Sequence, residues 1–161
     1  MAVDLKIKSN NKQVARKFKK FQSVLPRIID KGLKQAGFQL LDIIRTKTKK
    51  GIDFNDRPFA PYSDSYLKRL QKEGKPTNID LWYTGKMLGA LTPSSAIKKT
   101  GKHKISIGFA RAEERDKALW NQVLGNPKRE FFGFNNRTEK IISKQFNRFV
   151  EKELRKFRIW V

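Results

Sequence analysis

Apolar residues recur at helical spacing in several stretches of this chain and alternate with polar ones in a few short runs. The clearest stretch is residues 25–50. Leu25, Ile29, Leu33, Ala36, Leu40 and Ile44 follow one another at steps of four and three, which places them on one face of an α-helix. Ile28 and Leu41 widen the stripe, while Arg27, Lys31, Lys34, Gln35 and Asp42 fall mostly opposite. Pro26 suits a first helical turn, where its missing N–H costs nothing. Lys47, Lys49 and Lys50 stand where cations favour a helix C-terminus, and Gly51 follows as the stop. Such a helix is roughly 35 Å long at about 1.5 Å per residue. Gly32 and Gly37 each weaken it by about 1 kcal/mol against Ala, a cost expected where another backbone comes close.

Other elements follow from the same pattern. Val3, Leu5 and Ile7 alternate with Asp4, Lys6 and Lys8, which predicts a short edge strand. After the turn and cap signal at Ser9, Asn10 and Asn11, a short amphipathic helix carries Val14, Ala15, Phe18 and Phe21. Lys12, Arg16, Lys17, Lys19 and Lys20 coat its other side, and a break is expected near Pro26. Residues 53–63 read as an irregular loop, because Pro58 and Pro61 prevent regular pairing. Phe54, Phe59 and Tyr62 are costly to leave in water, so this loop is expected to tuck against its own core or a neighbouring subunit. Ser63 or Asp64 caps a short helix through Leu70, with Tyr66, Leu67 and Leu70 facing in. Thr84 caps another, with Met87, Leu88 and Leu91 on one face.

Residues 95–99 and 104–109 predict a β-hairpin with a basic tip. Residues 112–124 predict a helix with Ala118, Leu119 and Val123 on its apolar side and Gly125 and Pro127 just past its end. Residues 130–134 read as a strand or extended turn. Asn136 and Glu139 have capping-box spacing, and the last helix places Ile142, Phe146, Phe149, Val150, Leu154 and Phe157 on one face. The apolar end, Ile159, Trp160 and Val161, is expected to dock on the core or plug into a partner.

Charge changes this picture most. The chain of 161 residues carries 37 Lys and Arg against 15 Asp and Glu, a net charge of +22. The excess is spread: residues 1–50 hold 14 basic and 3 acidic groups, residues 51–110 hold 10 and 5, and residues 111–161 hold 13 and 7. A charge this large repels itself and is most comfortable beside anions, so nucleic acid, an acidic protein surface or an anionic membrane are the candidate partners. A well-solvated basic surface is the plain alternative. Cys is absent, which excludes disulfides, thiol chemistry and thiolate metal sites. No signal-peptide pattern and no apolar run of about 18 residues is present, so the chain reads as soluble and not exported.

Catalytic chemistry finds little support. His103 is the only histidine and sits among lysines at the predicted hairpin tip, so no Ser–His–Asp relay can be argued. Asp53 and Asp56 are a candidate divalent-cation pair, although two carboxylates on a basic protein are more commonly salt-bridge partners. No Gly-rich phosphate cradle is present. The residues argue for a binding or structural role without cofactor or metal. A free nucleic-acid-binding protein, with aromatics near cations at Trp82, Tyr83 and Phe131, and a nuclease built on Asp53 and Asp56 are the competing readings.

The order of elements then becomes informative: a long helix, a Pro/Phe loop, a Thr-Gly-x-x-Leu segment, a hairpin, a helix ending in Gly, an Arg-x-Phe-x-Gly segment and a last helix. The stretches that carry it are residues 57–63 with Arg57, Pro58 and Phe59, and residues 83–88 with Thr84, Gly85 and Leu88. Residues 105–109 with Gly108, residues 122–125 with Gly125, and residues 129–134 with Arg129, Phe131 and Gly133 complete the set. Over most of residues 25–157 the chain resembles the phage virion morphogenesis, or tail-completion, proteins of Mu-like and related tailed phages. It departs from them at Gln122, where the family commonly has His, and at Glu130, where it commonly has Pro.

The resemblance implies an α+β fold, here a long N-terminal helix and a C-terminal helix packed on a small antiparallel sheet. Length argues for one domain, the residue pattern for a strand and basic helix arm over residues 1–24, and the resemblance for a tail-completion-like core over residues 25–161. It also implies a ring, commonly six-fold, in the virion neck or at the head-proximal end of the tail. The ring would be made in the host cytoplasm and would contact portal or connector and tail-tube or tail-terminator proteins. On that reading Phe54, Phe59, Tyr62, Trp82 and Trp160 are candidate subunit or partner contacts. Lys47, Lys49, Lys50, Lys98, Lys99, Lys102 and Lys104 are candidate anion contacts, including to DNA in the neck channel.

Overall fold

A computed structural model describes residues 11–156. The expected strand at residues 3–7, the inward-facing Phe157 and the apolar end with Trp160 lie outside the described residues. Within them the chain is α+β, with a long N-terminal helix, a C-terminal helix and a small antiparallel sheet. The order is α1 (Asn11–Lys49), α2 (Asp64–Lys72), α3 (Lys86–Gly89), α4 (Pro93–Ala96), β1 (Ile97–Gly101), β2 (Lys104–Ile107), α5 (Ala112–Leu119), a π-helical turn (Trp120–Leu124) and α6 (Asn136–Arg155). No helix among the described residues is long and apolar enough to cross a membrane.

The break expected at Pro26 does not occur. One helix of 39 residues runs through it, a length of roughly 58 Å at about 1.5 Å per residue. Proline removes a single backbone donor, and that loss is tolerated where the helix is exposed: Pro26 and Arg27 face solvent, and residues 11–20 are exposed throughout. Lys50, Gly51 and Ile52 donate back to carbonyls of the last turn, with Gly51 at φ 72, so the helix stops where glycine permits it.

The most deeply buried residues of α1 are Ile28, Gly32, Gly37, Leu41, Ile44 and Thr48. They face two partners. A Cβ at Gly32 would lie 2.8 Å from the Phe146 ring, and one at Gly37 would lie 3.0 Å from Ile97 and Ile105. Both glycines therefore admit side chains, not the backbone expected from sequence. The α6 helix begins beside the end of α1, where Asn135 and Lys47 share Asp56, and runs back until Phe146 and Phe149 meet Gly32. The β1–β2 hairpin lies along another side of α1, with Ile97 opposite Ile107 at its base and an irregularity between Lys99 and Gly101.

The core closes over the last third of α1. Leu41, Ile44, Phe59, Met87, Leu88, Leu91, Ala96, Ala118 and Phe131 form one cluster, and Phe109 and Phe132 pack against it. The rings of Phe109, Phe131 and Phe132 stand 5.5–6.4 Å apart, tilted or edge-on, an arrangement worth about 0.5–1.5 kcal/mol per pair beyond simple burial. Phe59 is thus an internal residue at 6% exposure and has no surface to offer a neighbouring subunit. Phe131, at 1%, cannot stack on a nucleotide base.

Three local expectations shift. Residues 93–96 form a helical turn, so the hairpin begins at Ile97. Of the two readings offered for residues 130–134, the strand is not formed and the segment is irregular. The cap of α6 is Asn135, whose side chain accepts from the Thr138 N–H at 2.9 Å while donating to Asp56. That second bond selects Asn135 over Asn136.

Candidate functional site

The loop after α1 is tied down from within. The Asp53 side chain accepts from the Arg57 N–H at 2.8 Å, and Pro58 bridges back to Ile52. Asp56, at φ 67, takes the Lys47 ammonium at 2.7 Å and the Asn135 amide at 2.8 Å. The Lys47 hydrogen bond first, then that of Asn135, holds the Asp56 carboxyl below its ordinary value. Lys47 is therefore committed inside the molecule and is not a free anion contact. Asp53 and Asp56 act as a cap and a salt-bridge partner. Among the described residues no group of three His, Asp or Glu side chains could hold a metal ion.

Beyond the loop a groove of about 640 Å³ opens between α2, the segment before α3, and the π-helical turn. Tyr62, Tyr66 and Tyr83, all the tyrosines of the chain, line it together with Leu81, Trp120, Asn121 and Arg129. A smaller cavity of about 180 Å³ lies against the same tyrosines and reaches Trp82. Local structure places each ring. Ser63 caps α2 by accepting from the Tyr66 N–H, which sets Tyr62 and Tyr66 with ring centres 4.7 Å apart. The Asp80 side chain accepts from the Trp82 N–H at 2.9 Å, and Leu81 adopts φ 53, so the chain turns and leaves Trp82 and Tyr83 outside. Gly85 sits at φ 71 directly beneath the Trp82 indole; a Cβ there would meet the ring at 2.8 Å. Thr84 is the exposed residue before it.

Cations cover these rings. Arg129 lies 4.8 Å over Tyr62 and donates to the Ala60 and Pro61 carbonyls, which pins the proline loop to the groove. Arg69 lies over Tyr66, Lys75 is 3.4 Å from the Tyr83 ring centre, and Lys49 is 4.8 Å from that of Trp82. The Tyr83 hydroxyl donates to Glu73 at 2.8 Å and, with Lys75, lowers the Glu73 pKa. Burial raises the Tyr62 pKa.

One rim of the groove is an apolar ridge. Leu119, Trp120, Val123 and Leu124 are exposed by 47%, 62%, 47% and 59%. The helical spacing put Ala118, Leu119 and Val123 on the apolar side; of these three only Ala118 is buried, with Glu114 one turn before it. Leu119 ends α5 one position round from the buried Ala118, and in the π-helical turn that follows it is Gln122 that is held inward. Its amide donates to the Phe132 carbonyl and accepts from the Phe132 N–H, both at 3.0 Å, as a paired strand would. Gly125 closes the turn, where any Cβ would meet the Trp120 carbonyl at 2.8 Å.

The remaining sequence candidates separate. Leu88 is wholly buried, Phe54 is half-buried with its ring against Gly133, and nothing crowds Gly108. Lys99 is paired with Asp30, while Lys50, Lys98, Lys102 and Lys104 are exposed. Of the candidate contacts among the described residues, Tyr62 lines the groove and Trp82 lines the smaller cavity beside it. Sequence reasoning did not single out Tyr66, Trp120 or Leu124 as contacts, and named Tyr83 only under the nucleic-acid reading. The confinement of every tyrosine to residues 62–83 was the available signal. No protein-family model, no curated protein and no solved structure matches the chain.

Proposed function

We propose that this chain is a structural protein of a tailed-phage virion, a ring-forming component of the neck or the head-proximal end of the tail. What carries the reading is the ridge of Leu119, Trp120, Val123 and Leu124 beside the tyrosine groove. Clustered, strongly exposed apolar side chains beside a polar groove mark interaction surfaces more than scattered single ones do. Tyr, Trp and Arg are also the residues that dominate protein–protein contacts. A ridge on one copy seated in a different patch of the next is a head-to-tail contact, which closes into a ring when the rotation allows. Portal or connector and tail-tube or tail-terminator proteins are the partners this role requires.

Composition of purified phage particles tests the role. A neck component is present in a few to a few dozen copies per particle; its absence from particles overturns the reading.

A further inference from the structure

The first half of α1 carries a second surface that self-association does not use. From Asn11 to Ile29 there is no acidic residue, while Lys12, Arg16, Lys19, Lys20 and Arg27 are all present and exposed. At helical spacing these five fall on one side, opposite Val14 and Phe18. It is the side on which Asp30 meets the hairpin, where Lys99 and His103 both bind the Asp30 carboxylate. That contact neutralises the first acid of the helix and fixes the hairpin tip against α1. It leaves Lys98, Lys102 and Lys104 exposed on the hairpin. None of Lys12, Arg16, Lys19, Lys20 or Arg27 makes an ion pair among the described residues.

This arrangement is unfavourable for the chain alone, because cations repel one another and oppose the positive end of the helix dipole. An external polyanion reverses the sign. We infer that the side of α1 bearing Lys12, Arg16, Lys19, Lys20 and Arg27, together with the hairpin tip, binds the phosphate backbone of duplex DNA without reading its sequence. Cations three and four residues apart on a helix stand about 5–6 Å apart, close enough to meet successive phosphates. Among residues 11–30 of α1 the exposed ring, Phe18, faces away from this side, so stacking on the bases of a single strand is not provided between these cations. A membrane surface fits less well, because Val14 and Phe18 face away from the hairpin lysines and one plane cannot meet both. The α6 helix has its own exposed row, Lys140, Lys144 and Arg148, but Glu139, Glu151 and Glu153 punctuate that helix.

Fluorescence polarisation of the full chain with a labelled duplex of arbitrary sequence, measured across a salt series, tests this. About five phosphate contacts give a slope of log affinity against log salt near −4 to −5. The variant Lys12→Gln/Arg16→Gln/Lys19→Gln is expected to bind roughly tenfold or more weakly and to lose about 2–3 units of that slope. Its helix content by circular dichroism should equal that of the parent. Lys140→Gln/Lys144→Gln/Arg148→Gln removes the same charge from α6 and is expected to bind nearly as the parent does. Equal weakening in both variants would reduce the effect to bulk charge and overturn the assignment. So would absence of duplex binding at low salt, capture by anionic vesicles in its place, or equal binding of polyglutamate. Repeating the titration with a ridge variant, Leu124→Asp, separates DNA binding from self-association.

Discussion

Gln122 does the work of a short strand with one side chain. Replacing it by Ala leaves the Phe132 N–H and carbonyl without partners in a part-buried position. Each such group costs about 1–3 kcal/mol, so Gln122→Ala should destabilise the chain by about 2 kcal/mol in chemical denaturation. The loss should fall on the packing of Phe132 and Phe131. At the other end of the molecule, Asp30 is held below its ordinary carboxylate value of 3.8 by the Lys99 hydrogen bond first and by His103 second. A lowered carboxylate stabilises the fold fully above that ordinary value, and the contribution is lost as pH falls through the lowered one. Asp30→Asn removes it, so denaturation midpoints of the variant should fall less steeply with acid than those of the parent.

At the scale of elements, α1 is the part whose stability is least even. Its C-terminal third lies under the core, whereas residues 11–20 are exposed on every side. Pro26 stands between these regimes, with Ser23 donating to the Lys20 carbonyl one turn before it. Proline inside a helix costs about 3 kcal/mol. Pro26→Ala should therefore raise hydrogen-exchange protection in the amino-terminal half of α1. Protection of Leu41 and Ile44, set by the core, should stay unchanged. The other long helix, α6, is held by Phe146 and Phe149 on Gly32 and by the Asn135 cap. Its position depends on a glycine that propensity alone marks as a defect.

For the whole molecule the two surfaces lie at opposite ends of one long helix. The groove and ridge sit beside the C-terminal end of α1, where Lys49 covers Trp82, and the cationic side occupies its amino-terminal half. A ring built through the ridge would thus hold the cations away from the contact, at roughly 30–55 Å along α1 at about 1.5 Å per residue. Leu124 is exposed in the single chain, so Leu124→Asp should leave the unfolding midpoint almost unchanged. It should shift sedimentation from assemblies to single chains. An unchanged sedimentation profile would remove the ridge from the contact.

Local pattern alone determined the last helix, the helical run of residues 25–49, the stop at Gly51, the hairpin with its basic tip and the excess of positive charge; that α1 continues unbroken through Pro26 it did not show. Each of these depends on neighbours a few residues away. Tertiary structure decided the rest. Phe59 and Tyr62 belong to the same loop and are equally apolar in sequence, yet one fills the core and the other lines a groove. That choice is made by Gly51, Arg129 and the loop's internal bonds. Leu119 and Val123 stand four residues apart in sequence and still face solvent; in the π-helical turn after Leu119 it is Gln122, bonded to the Phe132 backbone, that faces inward. Lys47 and Lys50 read alike until Asp56 captures one of them. Spacing reports which residues share a face; which face is covered depends on side chains far away in the chain, and periodicity carries no information about those.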